Sequence, residues 1–316
     1  MRTFDTDALE CLAAIVEEGG FERAAQRLSI TQSAVSQRLR SLEAQVGTVL
    51  LVRSRPLRPT SAGRLLIKHA MQMRLLRADL DADLQDLAPG HSATSEDERI
   101  SIAINADSIA TWALPALDPL VRAGLPLEII TDDQDFTHEW LREGQVLGCV
   151  TTLKQALRGC KVLPLGAMHY VAVASADYAH AHCPQGLTAH NFRQIPFVAF
   201  NRKDDLQADF VGKACGLRRV SLIERFVPSS EGQVRAALAG WGTTVVPELQ
   251  VRPYLKTREL VNVAPAVTLP VQLYWHCWNL NSAVIDRLTL ALSTEAQRVL
   301  SQSPVKEAPS KKKNTV

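Results

Sequence analysis

The sequence predicts a fold in three parts: an all-α head with a small β wing, one long helix, and a two-lobed α/β module. Three observations predict it. Residues 21–43 separate twice into an apolar and a polar helical face, and Leu66, Met73, Leu80 and Leu87 recur every seven residues. From residue 99 onward, short strand-like runs alternate with helical patterns. At 316 residues the chain is long enough for two or three domains with cores of their own.

The first helix is predicted over 5–18, where Leu9, Leu12, Ala13 and Val16 share one face and Gly19-Gly20 ends it. A second follows, with Phe21, Ala24, Ala25 and Leu28 at i, i+3, i+4 and i+7; its two alanines let another helix approach closely. In the third, Val35, Leu39, Leu42 and Val46 form the buried stripe and Thr31 is placed to be the N-cap. Its opposite face carries Ser33, Ser36, Gln37 and Arg40, with Gln32 beside them in the first turn. Hydroxyl, amide and guanidinium groups at a helix start are suited to reading base edges in a major groove, so the pair is expected to be a helix-turn-helix. Residues 47–60 read as a wing, with Arg53, Arg55 and Arg58 between prolines to hold phosphates. Across 21–77 there are eleven basic residues against Glu22 and Glu43. That segment therefore carries +9 while the rest of the chain carries −7, and double-stranded DNA is the expected partner of the head alone.

One helix is predicted from Ser61 to about Leu87. Its seven-residue repeat, with His69 or Ala70, Leu76 and Leu84 in the intermediate places, favours pairing with a second copy over packing within the chain. A polar linker, 89–98, leads into the α/β module. Ile100, Ile102 and Ile104 mark a strand and Asp107 opens a helix. Strands are expected at 127–131, 146–151, 197–200, 221–227 and 271–278, and helices at 136–143, 206–215, 230–239 and 282–300. A second lobe begins near 170–174, so the expected division is 1–60 head, 61–89 pairing helix and 90–303 module. Within the module, lobe I covers about 98–166 and 268–303 and lobe II about 167–267; 304–316 is a disordered lysine-bearing tail.

Such two-lobed modules bind small ligands at the carboxyl ends of their strands. Asn105, Asp107 and Ser108 occupy one such end, and Ser229 and Ser230 begin a helix in the other lobe, where backbone N–H groups favour a carboxylate. Asp132, Asp133, Asp204, Asp205 and Glu231 join Asp107 around the remaining mouths. A ligand with one carboxylate and two cationic groups satisfies both sets, and L-lysine and L-arginine are of that type. The alternative, that each acid merely caps a helix or lies on a surface loop, stays open. For Trp112 and Trp241, buried packing is favoured over lining the cleft.

Other classes fit less well. No nucleophile–base constellation, phosphate loop or metal set is visible, so neither an enzyme nor a cofactor is expected. His180, His182 and Cys183 lack a second ligand pair and read as loop residues, and the six scattered cysteines read as reduced. No apolar run approaches the ~20 residues of a membrane span, and the chain opens directly into an amphipathic helix, so the cytoplasm is the expected compartment. A transport-type solute-binding protein would share the α/β module but not the basic head.

The order of parts, and the string Phe21-Glu-Arg-Ala-Ala-Gln-Arg-Leu28 followed by Thr31-Gln-Ser-Ala-Val-Ser-Gln-Arg-Leu39, resemble a LysR-type transcriptional regulator over nearly all residues before the tail. Further strings are similar to its arginine- and lysine-responsive subgroup, the ArgP/LysG type. They are Asn105-Ala-Asp-Ser-Ile-Ala-Thr-Trp112, Phe197-Val-Ala-Phe200 with Asp204-Asp205, Ser229-Ser-Glu231, Gly240-Trp-Gly242 through Pro247, and Tyr274-Trp-His276. The resemblance implies a winged helix-turn-helix joined to a periplasmic-binding-protein-like effector module. It implies homodimers or dimers of dimers on dyad-symmetric operators, contact with RNA polymerase at activated promoters, and control of basic amino acid exporters. It adds Phe200 to the effector-site candidates. Thr243-Thr-Val-Val246 and the Lys-rich tail depart from the subgroup pattern, and an effector outside the basic amino acids remains the alternative.

Overall fold

The computed structural model describes residues 4–52, 54, 56–87, 99–132 and 137–302. The expected linker at 89–98 and the expected tail at 304–316 lie outside the described residues.

The head is built from α1 (Thr6–Glu17), α2 (Phe21–Arg27) and α3 (Gln32–Val46), followed by a two-stranded antiparallel wing, β1 (Leu51–Val52) and β2 (Arg58–Pro59). Local chemistry sets each boundary. Asp5 caps α1 by accepting the Asp7 N–H at 3.2 Å, and Thr31 caps α3 by accepting the Ala34 N–H at 3.2 Å. Gly47, at φ 84°, ends α3 in the left-handed region. The buried core takes Leu9, Leu12 and Ile15 from α1, Ala24 and Ala25 from α2, and Val35, Leu39 and Leu42 from α3. Truncating one of these leucines to Ala costs about 2–5 kcal/mol by lost burial and a residual cavity. The carboxylate of Glu43 accepts the Leu50 N–H at 2.8 Å and so ties the start of the wing to α3.

The long helix α4 (Ser61–Leu87) has the predicted span, but its faces divide differently from the predicted repeat. Ile67 and Ala70 are buried in the head, with Leu66 and Met73 packed against the same core, while Leu75 is buried in the core of the α/β module. Leu66 and Met73 therefore do not lie on a free seam; both are partly buried against the head core. The large apolar residues left open among the described ones are Leu65, at 71% exposure near the helix start, and Leu76, Leu80 and Leu84, spaced by four and exposed by 45%, 55% and 44%. Gly63 lets the helix start tight against the wing, since a Cβ there would lie 2.1 Å from the Leu50 carbonyl oxygen.

The module is organised by a mixed sheet in the order β10-β6-β11-β5-β3-β4, with β9 also on β6. Its strands are β3 (Ile100–Asn105), β4 (Leu127–Asp132), β5 (Gly148–Thr151), β6 (Cys160–Ser175), β9 (Thr244–Pro247), β10 (Leu260–Asn262) and β11 (Leu269–Trp278). Strands β3, β4 and β5 are parallel, and β11 runs antiparallel between β5 and β6. The sixteen residues of β6 connect the lobes: Cys160–Tyr170 pair with β11, whereas Tyr170–Val173 pair with β9 and Val173–Ser175 with β10. Tyr170 is thus the residue at which the strand passes from one lobe to the other. In the second lobe β7 (Pro196–Ala199) pairs in parallel with β8 (Ile223–Phe226).

Helices cover these strands. After β3 the chain runs through α5 (Ala106–Ser108), a π turn at Ile109–Ala113 and α6 (Leu114–Arg122). The π turn sits beside Asp107, and such turns occur often at functional sites. The others are α7 (Thr137–Arg142), α8 (Ala176–His182), α9 (Leu206–Cys215), α10 (Ser230–Leu238), α11 (Glu248–Thr257) and α12 (Ala283–Val299). His180 and His182 lie on the short helix α8 rather than in a loop, and among the described residues no group of metal-binding side chains forms. Trp112 is buried as expected, but Trp241 is half exposed at the end of a tight turn, contrary to the expected packing. Among the described residues no helix is long and apolar enough to cross a membrane.

Lobe I buries one histidine. His276 on β11 donates its Nε2–H to the Leu153 carbonyl at 2.6 Å, and burial pushes its pKa below the usual imidazole range. A depressed folded-state pKa means that the unfolded chain takes up the proton more readily. The stability this group contributes is therefore present above about pH 6.5 and lost as pH falls through the folded value. The melting temperature is expected to drop as pH is lowered below about 6.5, with a shallower drop in His276→Gln; equal slopes in a thermal-shift series would contradict this.

Candidate nucleic-acid interface and ligand cleft

The polar face of α3 is open to solvent over most of its length. Thr31, Gln32, Ser33, Gln37 and Arg40 are exposed and Ser36 is half-buried. The hydroxyls of Thr31 and Ser33 lie 2.9 Å apart, and Gln32 donates its amide to the Ser36 hydroxyl at 3.3 Å. The face is thereby pre-ordered at the helix N-terminus, where the dipole also favours phosphate. Arg58 is exposed on β2. Arg53 and Arg55 lie outside the described residues.

The charge count over 21–77 overstates what is free for a polyanion, because acids of the first helix fold back on it. Arg74 binds Glu10 at 2.6 Å and Glu17 at 2.8 Å, Arg27 pairs with Glu17 and Glu18, and Arg38 reaches Asp7 at 3.0 Å. These arginines hold α1, α2, α3 and α4 together. Arg40 and Arg58 enter no ion pair among the described residues.

In the module, Asn105, Asp107, Phe200 and Asp204 converge around a small cavity of about 30 Å³, together with Gln233 and Val245. Four predicted residues from three separate elements thus meet at one point. Asp107 is central: its Oδ2 accepts the Tyr170 hydroxyl at 2.6 Å and its Oδ1 accepts the Ser230 hydroxyl at 2.5 Å. Ser230 also contacts Gln250 Oε1 at 3.0 Å. The carboxyl group therefore joins lobe I, the strand crossing at Tyr170 and the start of α10 in lobe II. Burial pushes its pKa above the usual carboxylate range, opposed by the Ser230 and Tyr170 hydrogen bonds and reinforced by Asp204. A raised folded-state pKa contributes stability below about pH 3.8 that is lost as pH rises through the folded value, so the ionised form is held at a cost that a bound cation offsets.

Two more polar groups are left unanswered. Asn105 Oδ1 and Ser108 Oγ are buried without a hydrogen-bond partner, a cost of about 1–3 kcal/mol each where no ligand or water answers them.

The remaining candidates divide. Asp204 accepts the Phe200 N–H at 3.0 Å and the Leu206 N–H at 2.9 Å, so it braces a loop as well as facing Asp107. Ser229 is exposed, and its hydroxyl is spent capping α10 through the Gly232 N–H at 3.1 Å. Glu231 is exposed on α10 and Asp205 is exposed at the start of α9, and neither lines the cavity. For Ser229, capping is the role the structure gives. Asp132 ends β4, and Asp133 lies outside the described residues. Sequence reasoning missed Tyr170 and Gln250. Tyr170 lies in a strand that reads as ordinary core, and only the strand crossing brings it to Asp107.

A winged helix-turn-helix, a long helix and a two-lobed cleft module define a ligand-responsive DNA-binding regulator. Residues 6–64 match the bacterial regulatory helix-turn-helix protein of the lysR family, and residues 93–295 match the LysR substrate binding domain. The chain belongs to the LysR family of DNA-binding transcriptional regulators, which are not enzymes. Over 297 residues it is 41% identical to the HTH-type transcriptional regulator ArgP of Pseudomonas aeruginosa, covering 94% of this chain and 97% of that one. The crystal structure of ArgP from Mycobacterium tuberculosis is similar at a TM-score of 0.82 and 40% identity, covering 95% of this chain and 99% of that one. Full-length LysG from Corynebacterium glutamicum with bound effector Arg is similar at a TM-score of 0.71 and 34% identity, covering 94% and 99%.

Proposed function

We propose that this regulator senses a basic amino acid, L-arginine or L-lysine, in the Asp107 cleft and controls genes for basic amino acid export. The observation that carries this reading is Asp107 itself, a carboxylate desolvated between two lobes, with Asp204 facing it and unanswered Asn105 and Ser108 alongside. A guanidinium or ammonium group there gains charge-assisted hydrogen bonds in a low-dielectric site. The N–H groups following Asn105 and at the start of α10 suit the ligand's carboxylate. The similarity to LysG, whose structure holds arginine, supports the same reading. An organic acid effector is disfavoured, because two carboxylates would oppose it.

The cavity of about 30 Å³ is too small for an amino acid, so entry requires the Asp107–Ser230 contact to open. A ligand that binds the rearranged lobes better than the original ones shifts their populations, and couplings of about 1–3 kcal/mol are typical. In this scheme residues 1–60 read DNA, 61–89 pair two chains, and 90–303 sense the effector, with lobe I at about 98–166 and 268–303 and lobe II at about 167–267. Two heads joined by α4 address a dyad-symmetric operator, as a dimer or a dimer of dimers, with RNA polymerase as the partner at activated promoters.

The direct test is footprinting and gel-shift titration on the DNA upstream of the gene and its neighbours, with and without L-arginine. A change in affinity or footprint of about 5–150-fold or its structural equivalent is expected; identical patterns would refute the effector assignment. Arg40→Ala is expected to relax base preference by about 1–3 kcal/mol at one operator position. Arg58→Ala weakens all duplexes alike and lowers the salt slope by about one. The reverse pattern in salt-dependent binding assays would exchange the roles of helix and wing.

A further inference from the structure

A much larger cavity, of about 740 Å³, lies where the head, α4 and lobe I meet, and it shares no lining residue with the Asp107 cleft. Its volume falls in the range of ~300–1,000 Å³ usual for small-molecule sites. One wall is α4, through Met71 and Ala78, and the facing wall is lobe I, through Leu125, Trp140 and Trp278. The charges around it are unevenly satisfied. Glu17 and Glu18 are paired with Arg27 and Arg74, and Glu128 accepts the Ser101 hydroxyl at 2.6 Å. Asp81 also lines the cavity and, like Arg99 and Arg287, is exposed. Arg99 and Arg287, also lining the cavity, enter no ion pair or hydrogen bond among the described residues.

The surrounding joint is close-packed. Lys68 Nζ donates to the Arg158 carbonyl at 3.4 Å, and a Cβ on Gly144, at φ +77°, would lie 2.5 Å from the Lys68 Cβ. Leu75 of α4 is buried in the module core while Ile67 and Ala70 are buried in the head core. A molecule in the cavity therefore touches head, helix and lobe I together, and its binding biases how they sit on one another.

We propose that this cavity is a second ligand site, for an amphipathic carboxylate. An aromatic or aliphatic body packs between α4 and the indoles of Trp140 and Trp278, and the carboxylate pairs with Arg99 and Arg287. The site is distinct from the basic amino acid cleft, with which it shares no lining residue.

The test is isothermal titration of the full-length protein with 1-naphthylacetate and with decanoate, each with and without excess L-arginine. The expected result is saturable binding of at least one of them, one per chain, which excess L-arginine shifts by no more than the coupling between the sites and does not abolish. Binding weakens at least about ten-fold in the R99Q/R287Q double variant, since each charge-assisted pair contributes substantially, and is lost when Ala78→Trp fills the cavity. The double variant alters exposed side chains only, so it serves even if Ala78→Trp fails to fold. Absence of binding by both probes, displacement by L-arginine, or unchanged binding in R99Q/R287Q would overturn the proposal. L-arginine binding retained in R99Q/R287Q separates failure of this site from failure of the cleft reading.

Discussion

Asp107→Asn is expected to weaken L-arginine binding by about thirty-fold or more while leaving the ligand-free melting temperature unchanged or slightly raised. The two halves of this result have one cause. Ionisation of Asp107 is disfavoured in the free protein, because burial lifts its pKa and Asp204 adds to the lift. Asn keeps an oxygen for the Tyr170 or Ser230 hydroxyl and removes the desolvated charge, so the free protein loses little. A ligand cation loses its charged partner, and hydrogen bonds to charged groups contribute about 1.5–3 kcal/mol. A large drop in stability together with a similar drop in affinity would make Asp107 a structural clasp only.

Leu80→Asp is expected to convert the protein to a monomer and to reduce operator affinity by about a hundred-fold or more. Leu80 is the most exposed of the three leucines spaced by four on α4, so the substitution leaves the cores of head and module intact. A carboxylate in the middle of an apolar seam opposes pairing of two helices. Separating the heads removes the effective concentration that the second half-site contact enjoys, a factor of about 10²–10⁴. Sedimentation and gel shift on the same preparation check it; a dimeric Leu80→Asp variant with full affinity would place the pairing elsewhere.

The head was legible in the sequence because its information is local. Apolar spacing, Thr31 as cap and Gly19-Gly20 as a stop all act within a turn or two, and the structure reproduces them. The length of α4 was legible for the same reason, but the use of its faces was not. Whether Met73 looks to a second chain or to the head core depends on what crosses the helix, and its own neighbours do not encode that. The charge count failed similarly: Glu10 and Glu17 lie outside the basic window in sequence and inside it in space.

In the module, Asn105, Asp107 and Asp204, which share one cavity, could be singled out because strand ends and polar helix starts are marked locally, whereas Phe200 came from the family resemblance alone. Tyr170, 63 residues from Asp107, carries no such mark. The segment from β9 to β10 was also not resolved into elements beforehand. A strand that opens on Thr244 and a helix that contains Pro253 both weaken the usual patterns. Exposed Trp241 reversed a size-based expectation, because a turn through Gly240 and Gly242 carries it out to the surface.

The central claim is that the cleft recognises positive charge through Asp107. It is tested most directly by titrating wild type and Asp107→Asn with L-arginine and with L-citrulline, its neutral isostere. The account predicts that wild type prefers arginine by about thirty-fold or more and that the variant loses this preference, a coupling read from the full cycle. Equal affinity of wild type for both ligands, or a preference that survives in Asp107→Asn, would contradict it.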